Sequence, residues 1–120
     1  MATTTIATAG ISSRLALLVT RELLKRPDVH IRGSCRDINK FPDDLRSSPR
    51  VSLVQSGPYD TETLCSLIRG CDVVICCYYA PDDVMLSAQK LLIDLTAEEG
   101  ITRYIAVITL PTTGNLIGAI

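Results

Sequence analysis

Apolar residues along this chain follow two spacings: short runs of β-branched and small residues, and longer stretches with apolar positions three and four apart. Thr3–Ala9 is of the first kind and predicts a short buried strand that Gly10 ends. Ser12 or Ser13 can cap a helix, in which Leu15, Leu18, Val19 and Leu23 keep helical spacing until Pro27 marks the stop. Val29–Cys35 predicts a second strand. Asp37–Arg50 is polar and carries Pro42 and Pro49, which predicts a short helix or a loop at the surface. Val51–Gln55 predicts a third strand and Ser56–Asp60 a turn. A helix beginning at Asp60 or Thr61 puts Leu64, Leu67 and Ile68 on one face, and Gly70 stands just past its end. Val73–Cys77 is apolar throughout, the pattern of a central parallel strand buried on both faces. Asp82–Glu99 is the longest helical stretch, with Met85, Ala88, Leu91, Leu92 and Leu95 as its stripe and Gly100 as its close. Ile101–Leu110 predicts a fifth strand, and Pro111–Ile120 starts polar and ends apolar.

Strands that alternate with helices predict an α/β fold, here a Rossmann-like, doubly wound parallel sheet of about five strands with helices on both faces. The 120 residues make one ordinary domain, and 47% hydrophobic with 21% charged residues is a globular composition. A net charge of −1 provides no electrostatic footprint for nucleic acid or an anionic membrane. The longest apolar runs, such as Leu15–Val19, are too short to cross a bilayer, so no membrane partner is expected. The start of the chain lacks a basic segment of the secretory kind, and the expected location is cytoplasmic. Five cysteines at irregular spacing make a poor disulfide framework; with His30 as the single histidine, no metal site is expected. They read as small buried hydrophobes, with Cys76 and Cys77 on opposite faces of a strand.

The turn from Ala9 to Ala16 is the first place where chemistry can sit. It follows the first strand and opens the first helix, whose free N–H groups and positive dipole end suit a pyrophosphate. Gly10 permits a tight turn, Ser12, Ser13 and Arg14 follow it, and Ala16 lets the helix pack close to the sheet. The pattern G-x-x-S-x-x-A is equally that of an ordinary strand-to-helix turn with a serine cap. The second place is the end of the second strand, Gly33–Asp37. An acidic residue there binds the ribose hydroxyls of NAD, whereas Arg36 suits a 2′-phosphate and predicts NADP, with NADPH preferred over NADH. The bland alternative for Arg36 is a solvated side chain or a pair with Asp37. Tyr78 and Tyr79 either line a cofactor cleft or cover the sheet end, and Tyr79 with Ala80 is placed on the nicotinamide side. A receiver-type signalling fold needs acidic residues where this chain has Ala9-Gly10 and Gln55-Ser56, which speaks against it.

From Thr3 to Leu110 the chain resembles the N-terminal part of the NmrA-like, isoflavone-reductase-like group of atypical short-chain dehydrogenases. The residues that carry the resemblance are the Gly10 turn, IRGSCRD (31–37), YDTETLCSLIRGCDVVI (59–75) and GITRYIAV (100–107). It implies a Rossmann fold, NADP(H) binding and, in active members, reduction of a carbonyl or a double bond, while some relatives bind the cofactor without turnover and act as regulators. Residues 1–120 are accordingly expected to be an NAD(P)-binding domain without the C-terminal substrate-binding part. The chain departs from the family pattern in several places. Ser13 and Ala16 stand where the turn usually has its second and third glycines, Ser56-Gly57 stands for Gly-Asp after the third strand, and at Val107-Ile108-Thr109 the usual Ser or Thr and the polar residue after it are displaced or lost. Active members use a Tyr-x-x-x-Lys pair or a lysine beyond the fifth strand. Here Tyr59, Tyr78, Tyr79 and Tyr104 are followed four residues on by Thr63, Asp82, Asp83 and Ile108, and no lysine follows Lys90, so no catalytic residue is assigned. The expected function is an NADP(H)-binding oxidoreductase domain acting on a small-molecule substrate that the sequence does not identify. The alternative is a non-catalytic cofactor-binding regulator or an inactive fragment. The apolar end, Leu116–Ile120, predicts self-association.

Overall fold

The computed structural model describes residues 3–78 and 83–106, the side chains of 83–85 excepted. Tyr79, Ala80, the residues after 106 and the apolar segment 116–120 lie outside the described residues. Among the described residues five strands form one sheet: β1 (Thr4–Ala9), β2 (Val29–Cys35), β3 (Val51–Gln55), β4 (Val73–Cys76) and β5 (Tyr104–Ala106). Four helices connect them: α1 (Arg14–Leu23), α2 (Asp43–Arg46), α3 (Thr61–Ile68) and α4 (Asp83–Glu98), with a 3₁₀ turn at Ile38–Lys40 ahead of α2. The strand order is β3-β2-β1-β4-β5 and every pairing is parallel. The α/β doubly wound architecture read from the sequence is the observed one.

Alternation along the strands sorts the core into two layers. Ile6, Ile31, Ile75 and Cys77 point to one face, where Ile11, Ala16, Phe41 and Leu45 cover them. Ala7, Ala9, Val74 and Cys76 point to the other, under Leu64, Leu67 and Ile68 of α3 and Leu92 and Leu95 of α4. The two adjacent cysteines thus fall on opposite faces, and all five cysteines are free thiols. Burying these apolar side chains stabilises the fold by about 2 kcal/mol for each large residue, and this offsets the entropy of ordering the chain.

The sequence misjudged α1 in one respect. Leu18 was expected on its core stripe, yet it is 59% exposed. The helix instead buries Ala16 and Thr20, with Leu17, Val19 and Leu23 packed beside them. Small residues on the innermost line let α1 approach the sheet more closely than leucines permit. The passage from its C-cap into β2 is held from outside the helix: the Arg50 guanidinium donates to Leu24 O (2.6 Å), Arg26 O (2.7 Å) and Val29 O (3.2 Å). Arg32 likewise donates to Leu67 O and Arg69 O at the end of α3.

Candidate nucleotide-binding cleft

The chain leaves β1 to one side of the sheet, through α1 to β2, and later returns to the other side, through α3 to β4. Neighbouring connections diverge at the carboxyl ends of β1 and β4, and divergence of this kind opens a crevice. A cleft of about 390 Å³ lies there, within the size range of small-ligand sites.

Its floor is built by the turn after β1. Gly10 has φ +75°, a conformation that side chains rarely tolerate. A Cβ at this position falls 3.0 Å from Tyr78 Cδ1 and 3.1 Å from the Cys77 carbonyl carbon. Gly10 N–H donates to the Ser34 hydroxyl at 3.4 Å and Ile11 N–H to Ser34 O at 2.9 Å, so the turn is tied to the end of β2. Cys77 N–H donates to Ala9 O at 2.8 Å and ties it to β4. Ser13 caps α1: its hydroxyl accepts from Ala16 N–H at 3.2 Å, leaving the hydroxyl proton free to donate. Ser12 is exposed on the same rim and lines the cleft.

Of the residues singled out from sequence, Gly10, Ser12, Ser13 and Arg36 come together around the cleft. Arg14, the first residue of α1, is exposed and is not among the lining residues. Tyr79 and Ala80 are outside the described residues. Ser34, Asp37 and Lys40 line the cleft without having been singled out as ligand-binding residues. The Arg36–Asp37 pair named as an alternative does not form, and neither Arg36 nor Lys40 makes an ion pair with any described residue. The lip over the end of β2 therefore carries two cations not neutralised by a described partner. No group of three or more potential metal ligands occurs among the described residues.

The wall toward β4 is a layer of suppressed acids. Burial pushes the Cys77 thiol up to about 12, and the neighbouring Cys76 adds to the effect. Burial likewise pushes the Tyr78 phenol up to about 12, with Cys76 adding and a nearby Ser34 hydroxyl working against it. Although Ser34 is near, the Tyr78 hydroxyl makes no hydrogen bond of normal geometry with any described residue and is shut off from solvent. Burial also raises Cys35, which lines the cleft from β2. These groups stay neutral at ordinary pH, so the wall is apolar and uncharged while the lip is cationic. At the end of β3, the Ser56 hydroxyl is occupied in donating to Gly57 O at 2.8 Å.

A glycine turn at a helix N-terminus, opposite unpaired cations, is a cradle for phosphates. A family model described as NAD(P)H-binding matches residues 10–118. The chain belongs to this NAD(P)H-binding family. No curated protein sequence matches it. Solved structures give the NAD(P)H-binding domain the same fold. A Rossmann-fold NAD(P)-binding family protein from Shigella flexneri superposes with a TM-score of 0.78 at 15% identity, over 89% of this chain and 52% of that one. A wide-type short-chain dehydrogenase/reductase from Veillonella parvula, in complex with NADP, gives 0.74 at 18% identity over 86% and 46%. NmrA, a negative transcriptional regulator in complex with NAD, gives 0.76 at 20% identity over 88% and 33%. The NAD(P)H-binding domain thus spans about half or less of the length of these proteins, and its resemblance to NmrA-like and short-chain-dehydrogenase proteins agrees with the sequence motifs.

Proposed function

We propose that this chain binds NADP(H) in preference to NAD(H) and forms the cofactor half of an oxidoreductase acting on a small molecule. The observation that carries the reading is the pair Arg36 and Lys40 on the lip where β2 ends, both without an ion pair among the described residues. A 2′-phosphate is the feature that separates NADP from NAD, and a guanidinium with an ammonium beside it supplies charge-assisted donors to its oxygens. Gly10, Ser12 and Ser13 would hold the pyrophosphate through the turn and the start of α1, where a side chain at position 10 has no room. When bound, the nicotinamide supplies or accepts the hydride.

Isothermal calorimetry and thermal melts of the full chain with NADPH and NADH test the preference. A hundredfold excess of NADPH over its Kd stabilises the native state by about 2.7 kcal/mol, which is a Tm rise on the order of 8 °C. The rise with NADH is smaller, and Arg36→Ala removes most of the difference. Equal shifts with both nucleotides would overturn the preference, and no shift with either would overturn the cofactor reading.

A second reading, a cofactor-sensing regulator, is favoured by one observation: none of the four tyrosines within these 120 residues is followed by a lysine four positions on. Turnover of an added carbonyl substrate with NADPH separates the two. The remaining parts of the proposal are a cytoplasmic location, no nucleic-acid partner, and self-association through the apolar residues 116–120. The five free thiols suit a reducing compartment, and no helix among the described residues is long and apolar enough to cross a membrane. Leu18 and Ile105, at 59% and 51% exposure, add uncovered apolar surface for association, which size-exclusion chromatography with light scattering measures.

A further inference from the structure

Of the large hydrophobic side chains exposed among the described residues, three gather around one edge of the sheet: Leu86 (68%), Ile93 (46%) and Ile105 (51%). β5 is the outermost strand there, and no described strand pairs with its outer edge. Val74 N–H donates to Arg103 O at 3.0 Å, so the backbone groups of Arg103 and Ile105 serve β4 while those of Tyr104 and Ala106 point outward. Ile105 pairs with Ile75, a member of the layer that Ile11 and Ala16 cover, and so lies on the face opposite α4. On the other face, Leu92 and Leu95 of α4 pack with Val74, Cys76 and Tyr104, which seats the helix above the β4–β5 pair. The exposed residues Leu86, Lys90, Ile93 and Ala97 stand four, three and four apart and form one stripe along α4.

We infer that this edge is an interaction surface for a second copy of the chain, joined β5 to β5 about a two-fold axis through Ile105. The inference builds on the self-association proposed above and gives it a defined surface, separate from residues 116–120. A two-fold perpendicular to the sheet pairs Tyr104 with Ala106 of the second copy, and the reverse, which satisfies the outward backbone groups. It also brings the two Ile105 side chains together as a pair of the closer, non-hydrogen-bonded kind. The same axis leaves both α4 helices on one face. Each lies above a β4–β5 pair, so the two run antiparallel about two strand spacings, or roughly 10 Å, apart, and packed helices sit about 8–10 Å apart. The spacing of the stripe reads the same in both directions. Leu86 therefore meets Ala97 of the second copy, a large residue against a small one, and Lys90 meets Ile93 with its ammonium beside Asp94 of the second copy. Lys90 already bonds Asp94 of its own helix at 3.1 Å, so charges of alternate sign line the centre of the seam. A patch complementary to itself is what a two-fold interface requires.

Size exclusion with light scattering and sedimentation equilibrium of the full chain, over a range of concentrations, read the association. A dimer is expected whose mass grows no further, because a two-fold closes. Ile105→Lys sets like charges side by side across the axis, and Ile93→Glu sets a carboxylate in the apolar part of the seam. Each is expected to raise the dimer dissociation constant by about ten-fold or more. Both side chains are exposed, so melts at dilutions where the parent is monomeric keep the parental Tm. Lys90→Glu weakens the dimer about five-fold, and adding Asp94→Lys to the same chain restores it. Replacing Leu116, Ile117 and Ile120 by serine leaves the dimer intact. A dimer that survives both Ile105→Lys and Ile93→Glu overturns this surface; if it is then lost with those serines, self-association at the apolar end stands. A chain that is monomeric at every concentration overturns both, and a mass that climbs without limit overturns the two-fold.

Discussion

Ile11 occupies the space that a side chain at Gly33 would need: a Cβ built on Gly33 lies 2.4 Å from Ile11 Cδ1, 2.8 Å from its Cγ2 and 2.9 Å from its Cβ. Ile11 is fully buried and follows the Gly10 turn directly, so this contact seats the floor of the cleft against β2. The near atoms include the branch point of the isoleucine and not only its flexible tip, so a rotamer change alone cannot relieve the clash. Gly33→Ala is expected to destabilise the chain by about 2 kcal/mol, measured by urea unfolding. Gly57→Ala, with nothing within 4 Å, serves as the control and changes stability by less than about 0.5 kcal/mol. Ile11→Ala combined with Gly33→Ala costs less than the sum of the two, since the smaller side chain at 11 removes the clash and the new methyl at 33 fills part of the space it leaves.

Ser13 separates capping from ligand contact. Ser13→Ala removes the bond to Ala16 N–H and lowers stability by about 1 kcal/mol, whereas Ser13→Gly lowers it by only a few tenths. Glycine also clears side-chain bulk from the approach to the turn. In Ser13→Gly, NADPH affinity is expected to equal or exceed that of the parent, and a ten-fold loss would show that the hydroxyl itself holds a phosphate.

Stability is expected to fall in alkali. Cys77 holds its proton to about 12 in the folded chain against an ordinary 9.0, and Tyr78 to about 12 against 10.0, both through burial. Tyr104, Cys71 and Cys76 are raised in the same direction for the same reason. Groups raised on folding contribute stability that is whole below their unfolded values and is lost as pH climbs toward the folded ones. The window is therefore about pH 9 to 12, with a slope of about 1.4 kcal/mol per pH unit for each group that ionises on unfolding. Urea midpoints across that range check it, and Cys77→Ala flattens the slope by one group.

Thiol chemistry reports burial independently. Cys35, Cys71, Cys76 and Cys77 are buried and Cys65 is only partly so. At pH 8, one thiol per chain is expected to react with a disulfide reagent in the native state and four more after denaturation. Replacing Cys65 by serine removes the fast phase. A fast phase that survives this replacement would mean that one of the core thiols opens locally.

Arg50 reaches three backbone carbonyls around the end of α1. Arg50→Lys keeps the charge but not the fork of donors and is expected to cost about 1.5 kcal/mol, with Arg50→Ala costing about twice that. Thermal melts measure both, and equal values for the two variants would assign the effect to the fork of donors alone, with charge contributing nothing.

The fold was legible because strand and helix periods differ and because the chain alternates between them. Val73–Cys76, with no polar residue, could sit only in the middle of a parallel sheet, and it pairs with β1 there. Part of the cleft was legible too, since Gly10 and Arg36 stand where a strand gives way to a helix or turn. Lys40 was not, because a 3₁₀ turn of three residues leaves no periodic trace, and only its geometry carries that ammonium to the lip. Ser34 was hidden for another reason. Its neighbours in sequence are strand residues, and its bond to Gly10 spans 24 positions. Leu18 misled because its spacing fits a helix stripe, while the close approach of α1 to the sheet selects small residues for the inner line.

The central position of β1 has a consequence for how the chain is made. Residues of β1 leave the ribosome before the other strands of this sheet, and their partners on the far side, Ile6 to Val73 through Ala9 to Cys76, are 67 positions behind them. Until those residues emerge, one edge of β1 is open and apolar, the kind of edge that recruits other strands. Gly10, Arg36, Ser56 and Tyr78 meet around the cleft only after that edge closes. A growing chain shorter than β4 has no assembled place for a nucleotide, so the cofactor can select only chains whose sheet is already complete.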